Sequence, residues 1–225
     1  MNEYQNRRKN ITVQRYFLQI LAGLCLAGMV LFLGGCQIVE PEKRAYPLVI
    51  GLDKRLEEYQ VSLGMAQLAV STGQEKEGGD EQNNDSQQMI FLTGSSQEEI
   101  MDEYNRTREL YLDPGHVQVI IFGKELLKDS EGMEKILAGM EKENSLGNSA
   151  FVFQANDPEQ IVEMNGTEIE SLGQYLTGIY ENRPEKQQPV LLSDVYLMYH
   201  RKESLEKIPE LIPKPEGILE IKDGS

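Results

Sequence analysis

The chain has no tryptophan, two cysteines and two histidines in 225 residues. Positive charge is scarce too: 22 Lys and Arg face 37 Asp and Glu, a formal net charge of −15. Each shortage excludes something. Cys25 lies within an apolar run and leaves Cys36 no partner in the rest of the chain, so no disulfide framework holds the fold. Two histidines give no paired metal-ligand spacing, and no glycine-rich phosphate loop or Gly-x-Ser-x-Gly elbow accompanies them. Nucleic acid needs a basic footprint that this balance does not supply. Attraction to anionic lipid is weak for the same reason. We therefore expect no catalytic, cofactor-binding or metal-binding residues, and not an enzyme.

What is present begins at the N-terminus. Arg7, Arg8, Lys9 and Arg15 precede an almost wholly apolar stretch from Tyr16 to Phe32, in which Gln19 is the one strongly polar residue. A basic leader followed by an apolar run reads as an export signal. It ends in Leu33-Gly34-Gly35-Cys36, which resembles the lipobox of bacterial lipoproteins. That resemblance implies cleavage before Cys36 and acylation of its thiol, with small residues admitting the backbone to a peptidase cleft. The plainer alternative is an uncleaved membrane anchor, since about 17 apolar residues are near the lower limit for a span. An anchor of that kind gives no reason for Gly-Gly-Cys. Removing residues 1–35 leaves 190 residues with 18 Lys and Arg against 36 Asp and Glu, enough for one ordinary domain.

Residues 36–45 read as a charged tether, 46–205 as an N-terminal α+β domain, and 206–225 as a proline-rich linker with the start of an incomplete further domain. "YPLVIGLD" reads as a strand from Tyr46. In "YQVSLGMAQLAV" the alternation of Tyr59, Val61, Leu63 and Met65 predicts a half-buried strand that slips or ends near Ala66. Gly73 to Gln88 holds no aliphatic or aromatic residue and reads as a mobile excursion before the strand "MIFLTG". Ser95 to Leu112 reads as a helix opened by a Ser/Glu capping pattern, with Ile100, Tyr104, Thr107 and Tyr111 on one face. Asp113-Pro114-Gly115 ends it, and "HVQVIIFG" follows as a strand. A helix over Glu131–Glu143 turns Met133, Ile136, Leu137 and Met140 inward, and "SAFVFQA" is a strand. Asn156-Asp157-Pro158 opens another helix. Two more are expected near Glu168–Asn182 and Ser193–Glu203. Pro209, Pro213 and Pro215 make the remainder extended. Three early strands with almost no helix between them predict an α+β fold, a mixed sheet with helices packed on it.

The histidines are read structurally. His116 is expected at the first position of a strand with a local hydrogen bond, although Asp113 could be imagined orienting its imidazole. His200, in "VYLMYHRKE", reads as a surface residue. The carboxylates are spread as solvated helix faces, and the Asn-x-Ser/Thr matches at Asn10, Asn105 and Asn165 read as chance.

The stretch "SSQEEIMDEYNRTRELYLDPGHVQVIIFGKELL", Ser95 to Leu127, resembles the Ger(x)C-type lipoproteins, the C subunits of spore germinant receptors. The order of further motifs agrees: Cys36, "VIGLD", "YQVSLGMAQLA", Gly115-His116, "VQVIIFG", Lys124-Glu125, "AFVFQANDPEQIVEMN" and "IPELIP". The resemblance implies a lipid-anchored subunit on the extracytoplasmic face of the spore's inner membrane. It would act with integral-membrane receptor subunits, including a transporter-like one, in nutrient-triggered germination through protein–protein contacts. Members of the family usually continue through a middle and a C-terminal domain. Candidate contact surfaces are the exposed helix faces near Glu98–Glu109 and Glu168–Asn182. The alternative reading is a generic extracytoplasmic solute-binding or interaction lipoprotein.

Overall fold

The protein is described from a computed structural model, which covers residues 40–66, 89–143, 145–165, 168–182 and 188–224. Cys36, the leader and the Gly73–Gln88 segment lie outside the described residues. Among those described, no helix is long and apolar enough to cross a membrane.

Nine strands and six α-helices are present among the described residues. The strands are β1 (Arg44–Ala45), β2 (Pro47–Arg55), β3 (Glu58–Met65), β4 (Met89–Gly94), β5 (Tyr111–Leu112), β6 (Val119–Gly123), β7 (Phe151–Ala155), β8 (Glu210–Lys214) and β9 (Ile218–Lys222). The helices are α1 (Gln97–Thr107), α2 (Lys124–Lys128), α3 (Ser130–Lys142), α4 (Pro158–Met164), α5 (Leu172–Asn182) and α6 (Leu192–His200). Seven strands form one sheet in the order β4-β3-β2-β6-β7-β8-β9, and β1 pairs with β5 in a small parallel ribbon. The centre, β2-β6-β7-β8, is parallel, while β2-β3-β4 and β8-β9 are antiparallel. This is the mixed sheet that the strand order predicts.

The two kinds of strand have different sequences for a physical reason. β6 (VIIFG) is buried at every position, because helices cover both faces of the parallel centre. β2 alternates between buried and half-buried positions along its length. On one face α4 and α5 pack over Val49, Ile121 and Phe153, with Ile161, Leu172 and Leu176 supplying the helix side. On the other, α2, α3 and α6 bring Leu126, Met133, Leu137, Leu192 and Val195 onto Ile120, Phe122 and Val152. α1 sets Ile100 and Tyr104 against Leu63, Ile90 and Leu92. Burying each such side chain contributes about 1.5–3 kcal/mol of transfer free energy.

α1 is shorter than its sequence predicts. Ser96 is its N-cap, accepting the Glu99 N–H at 3.2 Å, and the Glu99 carboxylate turns back to the Ser95 N–H at 2.9 Å. The helix ends at Thr107, where Arg108 is extended, and Tyr111 lies in β5, exposed. The inward face is thus Ile100 and Tyr104, and the Tyr104 hydroxyl donates to the Leu110 carbonyl at 3.0 Å, fixing the chain as it leaves the helix. Asp157 with Pro158 opens α4 as expected. Asp129 caps α3, which begins at Ser130, one residue ahead of the expected start, whereas α5 begins only at Leu172 and the short α2 stands where the sequence suggested a turn.

The proline-containing C-terminal stretch is extended, as expected, and it is also part of the sheet. β8 meets β7 at a single register pair, Gln154 with Glu210, and pairs with β9 over five positions. Pro213 is tolerated because β7 no longer runs beside it, so its missing N–H costs no ladder bond. Leu211 and Leu219 are buried in the same core as α4 and α5.

Candidate functional site

The Gly-x-Asp and Gly-Lys-Glu segments, far apart in sequence, meet at the C-terminal edge of the parallel strands. Parallel register pairs Gly51 with Ile121 and Leu52 with Phe122, which sets Asp53 beside Gly123. A Cβ on Gly123 would lie 1.8 Å from the Asp53 Oδ1, so only glycine leaves room for the carboxylate. Asp53 is buried, accepts the Lys54 N–H at 2.8 Å, and also accepts a backbone N–H of α2 at Leu126. Gly123 has no side chain to cap α2, and Asp53 does this from the neighbouring strand. Burial pushes the Asp53 carboxyl above the ordinary aspartate range, against the opposing pull of those N–H groups.

Gly51 has a second role. A Cβ there would stand 2.3 Å from the Ser62 Oγ and 3.0 Å from the Val162 Cγ2. Together with Ser62 and Gly64 it makes a shallow floor onto which α4 settles closely. The two motifs therefore position two helices on opposite faces of one edge.

Charged side chains surround this edge. Lys54 bonds Asp129 and lies 5.6 Å from the Tyr59 ring centre, while Asp129 also accepts the Gly132 N–H of α3. The Lys54 ammonium holds the Asp129 carboxyl below the usual range. Lys124 donates to Glu210 at 2.5 Å, joining α2 to β8. Beneath them opens a cleft of about 610 Å³, bordered by Lys124, Gln154, Tyr199, Glu203 and Lys222. Its rim carries both signs of charge, and there Lys124 is paired with Glu210.

The histidines lie elsewhere and apart from each other's elements. His116 is in a short 3-10 turn, Pro114–His116, before β6, not at a strand's first position. Asp113 does not orient it: its carboxylate bonds Arg44 at 2.6 Å and accepts the Gly115 N–H at 3.0 Å. Burial alone would raise Asp113, but these two bonds outweigh it and hold the group low. The His116 ring instead meets Tyr46 edge-on, with centroids 4.8 Å apart. His200 ends α6 on the surface, as expected, 3.0 Å from the Glu141 carboxylate. Among the described residues no three His, Cys, Asp or Glu side chains form a group able to hold a metal.

The arrangement is one of motifs that build a scaffold. A family model described as the spore germination protein N-terminal domain matches residues 37–206. The chain belongs to this family. The Ger(x)C-type resemblance seen in the motifs is shown by that match, and with it a role in spore germination. Neither the curated proteins nor the solved structures give any match. In this spore germination domain the family-like glycines and Asp53 are structural, and sequence reading saw their order but not their meeting. The pairing of Asp53 with Gly123 could have been sought from two Gly-containing motifs at the ends of adjacent parallel strands.

Proposed function

We propose that this germination domain is the extracytoplasmic part of a lipoprotein subunit of a spore germinant receptor, anchored through acylated Cys36. The observation that carries the reading is the family match over residues 37–206, which begins directly after that cysteine. The domain works without catalysis, at the inner membrane of the spore, by contact with integral-membrane receptor subunits. Three features support contact over chemistry: the two histidines are on separate elements, Asp113 is committed to Arg44, and at the cleft Lys124 is paired with Glu210. The strong negative charge leaves attachment to the acyl chains, since a single domain of this sign gains nothing from anionic headgroups.

The test is a pull-down of tagged protein from spore membranes beside calorimetry of the same protein against common germinants. Recovery of the transporter-like and second integral subunits, with silent calorimetry, is the expected result. Tight binding of a small molecule without those subunits would favour a solute-binding lipoprotein. Replacing Cys36 by Ala should leave a larger precursor without acyl label, and unchanged processing would remove the anchor from the proposal.

A further inference from the structure

The turn joining β2 to β3 goes against local stability in two ways at one residue. Arg55 pairs with Glu58, so Leu56 and Glu57 alone make the turn. Turns of this length place residues at positive φ and draw on Gly, Asn or Asp. Here a leucine occupies the position, with φ 57°. A γ-branched apolar side chain gains nothing from that conformation, which only glycine adopts freely. The two other non-glycine residues at positive φ, Lys202 and Glu216, are polar and lie in a helix end and a turn.

The same leucine is also bare. Its relative exposure is 95%, whereas the other exposed large apolar side chains lie between 44% and 56%. A single exposed leucine is ordinary on a protein surface. One held in a strained backbone and touching nothing is less so, because neither the strain nor the exposure is repaid within the domain.

Charge decides what could cover it. Arg55 reaches Asp157 and Glu159 at 3.7 and 3.8 Å, and Glu57 and Glu58 are exposed beside the tip. The tip and its surroundings thus carry four carboxylates against one guanidinium, and Lys54 is committed to Asp129. An anionic lipid surface would repel this tip, and so would the same tip of a second copy. Leu56 also sits at the opposite end of β2 from Pro47, where the chain enters the sheet, about 30 Å away at 3.3 Å per residue.

We infer that the β2–β3 tip is a docking element whose Leu56 enters an apolar pocket, rimmed by Lys or Arg, on a different protein. Resting on the receptor reading above, that protein is one of the integral-membrane subunits, met through a part that stands clear of the bilayer. The inference names a surface that neither helix face in the sequence reading includes.

The experiment uses the full-length acylated protein in spores. Leu56→Gly suits the turn better than leucine, so its melting temperature should equal or exceed that of wild type. Recovery of the integral subunits with it should nevertheless fall at least tenfold, and germination should slow. Glu57→Lys with Glu58→Lys should lower recovery in the same direction by reversing the tip's charge. A photo-reactive benzoylphenylalanine at position 56 should crosslink to an integral subunit. Recovery of Leu56→Gly within twofold of wild type, or a crosslink only to lipid or to a second copy, overturns the inference and leaves the receptor reading intact. If wild-type protein itself recovers no integral subunit, the receptor reading fails and this inference fails with it.

Discussion

Two antiparallel hairpins flank the parallel centre of the sheet, and they are held to it by different means. On one side β3 pairs with β2 along nearly its whole length and with β4 at six positions. On the other, β8 touches β7 at one register pair, the Gln154 N–H donates to the Pro209 carbonyl at 2.9 Å, and side chains complete the join. The Gln154 amide donates to the Ile208 carbonyl at 2.5 Å and to the Glu206 carbonyl at 3.3 Å, while Lys124 reaches Glu210. A ladder of backbone bonds tolerates many sequences. A join of one backbone bond and a few side chains does not, and β8–β9 should be the more sensitive of the two hairpins to single polar substitutions.

The sharpest way to break this comparison is to remove the weaker hairpin altogether. A stop codon after Lys207 deletes Ile208, Leu211, Leu219 and Ile221, all buried. At about 2–5 kcal/mol for each large apolar side chain lost from a core, the loss exceeds the whole stability of an ordinary domain. Calorimetry should show no cooperative transition. A truncated protein that melted like wild type would mean that β8 and β9 are an appendage.

Gly51→Val tests the opposite hairpin by addition. The new Cβ meets Ser62 and Val162, and α4 must rise from the floor formed by β2 and β3. Overpacking of this kind costs about 1–3 kcal/mol, and a branched side chain here belongs at the upper end. Chemical denaturation measures it. Gln154→Ala should cost less, about 1 kcal/mol, by leaving the buried Ile208 carbonyl short of its partner. The same denaturation series should show Ser62→Ala, in the ladder-bonded hairpin, costing less still, since its Oγ donates only a long 3.5 Å bond to Gly51.

Acidity separates two buried carboxylates, Asp53 on β2 and Asp113 before β6. Asp53 has its folded pKa raised, so the folded state holds the proton more tightly than the unfolded one. Its ionised form therefore destabilises the fold at neutral pH, and stability recovers as pH falls through that raised value, above 3.8. Asp113, held low by Arg44 and the Gly115 N–H, acts oppositely: its contribution is present above the ordinary aspartate range and is lost on further acidification. In Asp53→Asn the melting temperature should lack the first effect, so wild type gains on the variant between neutral pH and about pH 4. A constant difference across that range would show that burial does not govern Asp53. The smallest effect is expected for His200→Ala, which removes one exposed side-chain contact with Glu141 and should leave the melting temperature within about a degree.

Much of this protein was legible in its sequence. Period-two alternation gave β3, the β-branched run "HVQVIIFG" gave β6 as a strand, and Asp157-Pro158 gave the start of α4, because each depends on residues adjacent in the chain. The order of motifs was enough to place the family. Local pattern did less well where a distant partner intervened. α1 stops at Thr107 because Tyr104 is drawn into the core and its hydroxyl ties down Leu110, which shifts Tyr111 out of the helix. His116 is placed by Tyr46, and Asp113 is claimed by Arg44. Only the tertiary structure decided that Asp53 caps the helix that follows the neighbouring strand, that Gly123 must be glycine to admit it, and that Leu56 stands exposed at positive φ. Those outcomes depend on register between strands and on the direction of a side chain, and neither has a period that a sequence can display.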